Sequence, residues 1–174
     1  MEKTVLLISH THWDRQWYRT VQEFRLELVK MMDTLIDLLE TDPEYRVFHF
    51  DGQTAAIEDY LDLRPEMEER LRRLIGEGRL KIGPWYLQPD TFLVSGEGLI
   101  RNLLKGRAYA ESMGANTLVG WLPDSFGHNA QLPQILNNFG IDSFLFSRGL
   151  GDQLEEEQIE FLWKSPHGDE VVAL

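Results

Sequence analysis

Short apolar runs alternate with longer amphipathic segments along this chain of 174 residues, and that alternation limits the fold more than any other feature. The run Val5–Ile8 is typical of a strand that is buried on both faces. Further strands are predicted at residues 46–50, 80–85, 117–122 and 143–146, and two strand pieces at 161–163 and 171–174 flank a predicted turn at 167–169. Helical periodicity predicts helices at residues 24–39, 55–61, 65–76, 95–114 and 132–139. Thr20 and Glu23 have the spacing of a capping box before the first helix, and Ser95 is the predicted cap of the fourth. Strands that alternate with helices pair in parallel through right-handed crossovers, so a doubly wound α/β sheet and a (β/α) barrel both fit.

Polar and aromatic side chains are concentrated directly after the predicted strands. They are His10, His12, Trp13, Asp14, Asp51, Trp85, Asp90, Asp124 and Arg148. Because parallel strands all point the same way, the segments after them lie on one rim, where α/β folds build their sites. We therefore expect these residues to converge.

The segment after the first strand carries two imidazoles and a carboxylate within five residues. Alternate side chains of an extended segment share a side, so His10, His12 and Asp14 can face one divalent metal of the zinc type. The alternative is that the histidines bind buried carbonyls and that Asp14 caps a turn. Trp13 and Trp17 are either core residues or sugar-stacking platforms, because an indole ring is broad and apolar.

A second segment, residues 120–128, places Asp124 directly after a strand, and Pro123 restricts the backbone before it. A carboxylate held there can be a metal ligand, a nucleophile or a base. The alternative is that Asp124 is the N-cap of the next helix. Residues 83–90 suit either a pocket wall or a packed loop, and residues 51–54 suit a strand-to-helix turn.

Composition and charge disfavour several classes of function. The chain has no cysteine, which excludes disulfides, thiolate metal ligands and cysteine nucleophiles. Its formal net charge of −12 argues against nucleic acids and anionic membrane surfaces as partners. The apolar stretch near the first residue is too short for a signal peptide or a membrane span, which predicts a cytoplasmic protein.

Three segments together resemble the N-terminal part of glycoside hydrolase family 38, the α-mannosidases. They are residues 10–18 (HTHWDRQWY), 83–90 (GPWYLQPD) and 120–128 (GWLPDSFGH). Residues 51–54 (DGQT) resemble the bacterial branch of that family, which includes mannosylglycerate hydrolases. The resemblance covers essentially the whole chain in the right order.

The resemblance implies an α/β fold that is the N-terminal portion of a (β/α) barrel of the seven-stranded type, with parallel strands and alternating helices. Residues 1–174 would be an incomplete part of one catalytic domain, with no internal boundary. The length agrees, because five strand–helix steps are too few for a closed barrel, which takes about 250 residues.

The resemblance also implies roles for single residues. One zinc ion would be bound by His12, Asp14 and Asp124, and Asp124 would also be the catalytic nucleophile. His10 matches a position that is not a ligand in the family. The fourth zinc ligand and the general acid/base carboxylate would lie beyond Leu174. The residues that would contact the sugar or line its pocket are Trp17, Asp90, Phe126 and Arg148.

The implied reaction is retaining hydrolysis of an α-mannoside oligosaccharide or glycoside through a covalent glycosyl-enzyme on Asp124. The full-length enzyme is compatible with a homo-oligomer, and this portion alone is expected to be inactive. Two other classes fit the same residues. A zinc-dependent carbohydrate deacetylase would use a His/Asp metal site with metal-bound water as the attacking species. A non-catalytic sugar-binding fragment would bind sugar without turnover.

Overall fold

The structure, a computed structural model, describes residues 4–149 and 160–174 as alternating strands and helices. The helices are α1 (Val21–Thr41), α2 (Ala55–Leu63), α3 (Glu68–Gly76), α4 (Gly96–Ser112) and α5 (Leu132–Asn138). The strands are β1 (His10–Thr11), β2 (Phe48–Phe50), β3 (Leu80–Lys81), β4 (Val119–Leu122), β5 (Ser143–Phe146), β6 (Phe161–Lys164) and β7 (Glu170–Ala173). None of the helices described here is both long and apolar enough to cross a membrane.

The strands form two sheets within the described ranges. The first sheet is parallel and has the order β1-β2-β3. The second has the order β4-β5-β7-β6, in which β4, β5 and β7 are parallel and β6 is antiparallel to β7. β6 and β7 are the strand pieces predicted on either side of a turn, and because that turn at residues 165–169 is tight, they pair antiparallel. The predicted α/β class is confirmed, and the seven-stranded barrel stays a prediction.

The first strand lies further along the chain than the sequence predicts, and the prediction that Val5–Ile8 is a buried strand is wrong. The Leu7 side chain is 93% exposed, and pairing with β2 begins only where the His49 N–H donates to the Ser9 carbonyl oxygen (2.9 Å). No strand of the described ranges lies on the other side of β1. The apolar run therefore has neither a ladder partner nor a covering layer.

The third strand is also shorter than predicted, because Gly83 and Pro84 interrupt it. Gly83 has a positive φ of 75°, and proline has no N–H to donate to a ladder. Parallel pairing resumes at an isolated bridge between Gln53 and Trp85.

The helix ends follow the local sequence signals. The Thr20 hydroxyl accepts a hydrogen bond from the Glu23 N–H (3.3 Å), and the Glu23 carboxylate accepts one from the Thr20 N–H (2.8 Å). This reciprocal pair is the predicted capping box of α1. The Ser95 hydroxyl caps α4 by accepting from the Gly98 N–H (3.1 Å), also as predicted.

The core is built from two clusters, one on each sheet. Helices α1, α2 and α3 bury apolar side chains against Phe50 and other residues of the first sheet, among them Leu28, Met32, Ile36, Leu39, Ile57 and Leu71. Helices α4 and α5 do the same against Phe144 of the second sheet, through Leu99, Leu103, Leu132 and Leu136. The sheets meet where the ring of His49 on β2 lies 4.2 Å from that of Trp121 on β4.

The packing of α4 depends on Gly106, which lies in the middle of the helix. A Cβ atom there would lie 2.2 Å from the Trp85 carbonyl carbon and 2.3 Å from the Pro84 carbonyl oxygen. Only glycine therefore lets α4 approach the segment that follows β3, and that segment leads into the candidate site.

We predict that Gly106→Ala lowers the free energy of unfolding by about 1–3 kcal/mol, because the added methyl group pushes α4 off the backbone at Trp85. Urea unfolding of the two proteins measures the difference. The matched control is Gly76→Ala, since Gly76 is also helical and a methyl group added there would have no neighbouring atom within 4 Å. Equal stability of Gly106→Ala and the parent protein would contradict the packing argument.

A second prediction concerns His49, which is buried and packs against Trp121. Burial lowers its pKa to about 4, whereas an unfolded chain binds the same proton near pH 6.5. Between these values the unfolded chain holds more protons, so folding stability falls as the pH falls. When the pH is lowered from 7 to 4, we expect the free energy of unfolding of the parent protein to fall by about 3 kcal/mol more than that of His49→Phe. Urea unfolding at both pH values, with a chelator present, tests this, and identical pH dependence of the two proteins would refute it.

Candidate functional site

Segments that follow different strands meet at one end of the sheets, as predicted from their position in the sequence. His12 follows β1, and Asp124 follows β4. The His12 Nε2 atom lies 3.4 Å from Asp14 Oδ1 and 3.5 Å from Asp124 Oδ2. The imidazole therefore faces two carboxylates that are 110 positions apart in the sequence. All three side chains are about one-third exposed, so the group is open to solvent.

The two oxygens of Asp124 have different partners. Oδ2 faces His12, and Oδ1 accepts a hydrogen bond from Arg148 Nε at 2.6 Å. The alternative role of Asp124 as a helix N-cap is excluded, because α5 begins at Leu132 with Gln131 as its N-cap. The carboxylate is thus held by side chains of other segments and not by a helix end.

Sequence reasoning placed Asp51 among the converging residues but gave it no role, because it assigned residues 51–54 to a strand-to-helix turn. The Asp51 carboxylate is fully buried. Its Oδ1 lies 3.2 Å from His12 Nδ1 and accepts from Gln88 Nε2 (2.6 Å). Its Oδ2 accepts from the Trp13 N–H (2.6 Å) and from Gln53 Nε2 (2.8 Å). The signal in the sequence was a carboxylate directly after the strand that neighbours β1.

These neighbours change the acidity of His12. The hydrogen bond with Asp51 raises the pKa of His12, burial opposes that effect, and the charges of Asp51, Asp14 and Asp124 raise the pKa further. The net direction is upward from the ordinary value of 6.5. The ring therefore becomes fully protonated at a higher pH than an isolated histidine does, with the Nε2 atom between the two exposed carboxylates.

Asp90, Phe126 and Arg148 form a connected group beside Asp124, as expected for residues of one pocket. The Phe126 N–H donates to Asp90 Oδ1 (2.8 Å), and the Arg148 guanidinium lies 4.7 Å from the centre of the Phe126 ring. Phe126 itself is exposed. An exposed aromatic ring offers an apolar face of the kind that sugars stack on, and the contact of this group with sugar stays a prediction.

Trp17 and His10 stand apart from this group. Trp17 is 75% exposed and makes an edge contact with Tyr18, with ring centres 5.2 Å apart, so its contact with sugar stays a prediction. The His10 ring packs against Trp121 (5.2 Å). The prediction from spacing that His10 shares a metal with His12 is therefore wrong, because β1 ends at Thr11 and the alternation of sides does not continue.

The donor set of His12, Asp14 and Asp124 suits zinc in its chemistry. Zinc bound by one imidazole and two carboxylates through bonds of about 2.1 Å keeps tetrahedral neighbours about 3.4 Å apart, which the two His12 distances match. In residues 4–149 and 160–174, however, no group of three or more histidine or acidic side chains is already arranged as a metal site. The side chains instead form ion pairs with one another.

The chain is similar to one known protein family along nearly all of its length. The profile of the glycosyl hydrolases family 38 N-terminal domain matches residues 2–174. The chain belongs to glycoside hydrolase family 38. A relative from Halalkalibacterium halodurans, named as a mannosylglycerate hydrolase, is 42% identical over an alignment that covers 100% of this chain and 21% of the relative. Human alpha-mannosidase 2C1 is 30% identical over 83% of this chain and 14% of its own length.

Solved structures agree with the family assignment. A crystal structure of an alpha-mannosidase from Enterococcus faecalis V583 superposes with a TM-score of 0.92 at 37% identity, covering 96% of this chain and 19% of that protein. A 4-alpha-glucanotransferase from Thermococcus litoralis has a TM-score of 0.67 at 18% identity over 85% of this chain and 24% of its own, which shows a shared fold alone. The chain thus spans between about a seventh and a fifth of the length of these family 38 relatives.

Proposed function

We propose that the protein is a zinc-dependent retaining α-mannosidase in which Asp124 is the nucleophile. The observation that carries the proposal is the shared contact of His12 Nε2 with Asp14 and Asp124. Membership of family 38 supports the α-mannoside substrate. The proposal includes a seven-stranded barrel of which residues 1–174 are the N-terminal, incomplete part.

His12, Asp14 and Asp124 are the residues that would hold zinc. Bound there, the ion would orient the 2- and 3-hydroxyls of mannose and stabilise developing charge as a Lewis acid. The 2-hydroxyl is axial in mannose and equatorial in glucose, so binding of the 2- and 3-hydroxyls together would favour mannosides over glucosides. A fourth ligand is assigned to a part of the protein outside this chain.

The remaining chemistry falls to side chains. A carboxylate oxygen of Asp124 attacks the anomeric carbon, the bond to the leaving oxygen breaks, and a carboxylic acid from outside this chain protonates that oxygen. The same acid, now a carboxylate, takes a proton from water, which attacks the anomeric carbon and releases Asp124. Arg148 holds Oδ1 of Asp124 in place, while Oδ2 faces His12.

We expect Asp124→Ala to reduce α-mannoside turnover in the full-length protein by at least about 10³-fold, because nucleophile and metal ligand are lost together. Zinc affinity, measured by competition with a fluorescent chelator, should also fall. Asp142→Ala is the matched control, since Asp142 is an exposed aspartate outside the site. Near-normal turnover of Asp124→Ala would end the nucleophile assignment.

Zinc affinity should depend on pH through His12. The metal must displace the proton from His12 Nε2, and the pKa of this group lies above 6.5. Affinity is therefore highest above the raised pKa and falls by about tenfold per pH unit below it, starting at a pH higher than a free histidine would give. Chelator competition at a series of pH values from 6 to 8 measures this. Affinity that stays flat over this range would contradict His12 as a ligand.

Mannosylglycerate is a candidate substrate, because the relative named as a mannosylglycerate hydrolase is similar along the entire chain. Comparing kcat/KM for mannosylglycerate and for α-mannosyl oligosaccharides, with and without a chelator, separates the two. Retention is tested by NMR of the first-formed anomer. Release of acetate from acetylated sugars without mannoside cleavage would overturn the glycosidase proposal.

A further inference from the structure

We propose that Asp51 is a positioning residue for the metal site: it determines which nitrogen of His12 is free to bind, and it fixes the backbone between the two ligands His12 and Asp14. The inference rests on the proposed metal site and deepens it. It concerns a buried residue that would itself touch neither metal nor sugar.

The surroundings of Asp51 first determine its charge state. Besides His12, its carboxylate faces three N–H groups: the Trp13 backbone and the side-chain amides of Gln53 and Gln88. An N–H group can only donate, so each of these contacts requires an accepting oxygen. These three donors use both oxygens, so the one place left for a proton is the hydrogen bond between Asp51 Oδ1 and His12 Nδ1. Imidazole is a stronger base than a carboxylate, so that proton lies on the ring, and Asp51 is an ionised carboxylate that only accepts.

This charge state fixes the tautomer of His12. Since Asp51 Oδ1 can only accept, the hydrogen bond at 3.2 Å places a proton on His12 Nδ1. In a neutral ring the lone pair is then at Nε2, the atom that faces Asp14 and Asp124. A carboxylate behind a ligating histidine also makes the ring a stronger electron donor to the metal.

The backbone between the two ligands is held by Asp51 together with Gln53. The Trp13 N–H donates to Asp51, and the Trp13 carbonyl oxygen accepts from Gln53 Nε2 at 2.7 Å. Trp13 stands between His12 and Asp14, so both of its peptide groups are fixed by residues that follow β2. The spacing of the two ligands therefore depends on Asp51 and Gln53 and not on the flexible loop alone.

The support is itself rigid. Asp51 is fully buried and has a positive φ of 47°, and Gly52 follows with a φ of 63°. A Cβ atom at position 52 would lie 2.8 Å from the Trp121 Cβ atom, so this turn packs directly against β4. A left-handed aspartate is uncommon, and tight packing of this kind is what keeps it in place.

The test is Asp51→Asn in the full-length protein. Asparagine has the same shape and adopts positive φ readily, so the turn is preserved. Its side chain has no charge, and its NH₂ group takes the place of one of the two accepting oxygens. We expect the dissociation constant for zinc, measured by competition with a fluorescent chelator, to rise by about 10–100-fold. The visible absorption of Co²⁺ bound in place of zinc should change as well, because the orientation of His12 is no longer fixed.

The matched control is Asp33→Asn, which removes a carboxylate that binds Tyr60 and Arg64 between α1 and α2. It should leave zinc affinity and the Co²⁺ spectrum unchanged. A second variant, Gln53→Met, keeps the length of the side chain but removes the donor to Asp51 and to Trp13. It should weaken zinc binding also, which tests the proposal if Asp51→Asn fails to fold.

Zinc affinity of Asp51→Asn equal to that of the parent protein would overturn the inference, as would equal losses in Asp51→Asn and Asp33→Asn. Failure of the proposed function gives a different result. A parent protein that binds zinc, loses it in Asp51→Asn and cleaves no α-mannoside refutes the mannosidase proposal and supports the positioning role. A parent protein that cleaves α-mannosides with undiminished zinc affinity in Asp51→Asn refutes only the positioning role.

Discussion

The parallel pairing of β1 with β2 is the constraint on which the candidate site depends. His10 pairs with His49 and Thr11 with Phe50, so the next residues in the same register are His12 and Asp51. The register therefore places an imidazole beside a buried carboxylate at the point where both strands end. Shifting it by one residue would put Phe50 or Gly52 opposite His12 and leave its Nδ1 without a partner.

The rest of the fold holds these two strand ends against the loops that follow β4 and β5. Gly52 lets the turn after β2 pack on Trp121, and Gly106 lets α4 reach the segment that carries Gln88 and Asp90. Arg148 then ties the loop after β5 to Asp124. The arrangement makes one carboxylate, Asp51, inaccessible, and leaves the carboxylates of Asp14 and Asp124 open to solvent. In the proposed function the exposed carboxylates bind the ion and react with the sugar, and the buried one orients His12.

Elements whose signals are local were predictable from the sequence. The strand at Ser143–Phe146 has the predicted bounds, and the caps at Thr20 and Ser95 form as expected, because a cap involves only residues within one helical turn. The prediction of a buried strand at Val5–Ile8 was wrong for the opposite reason. Its burial depends on neighbours that are remote in the sequence, and the described sheet supplies a partner only from Ser9 onward.

The candidate site divides in the same way. The sequence by itself determined the α/β class, the family and the placement of His12, Asp14 and Asp124 after strands. These features depend only on the order and spacing of residues along the chain. Only the tertiary structure decided that His10 turns toward Trp121, that Trp17 stands apart from Arg148 and Phe126, and that Asp51 supports His12. The physical reason is that sheet register, and not distance along the chain, determines which side chains of different strands face each other.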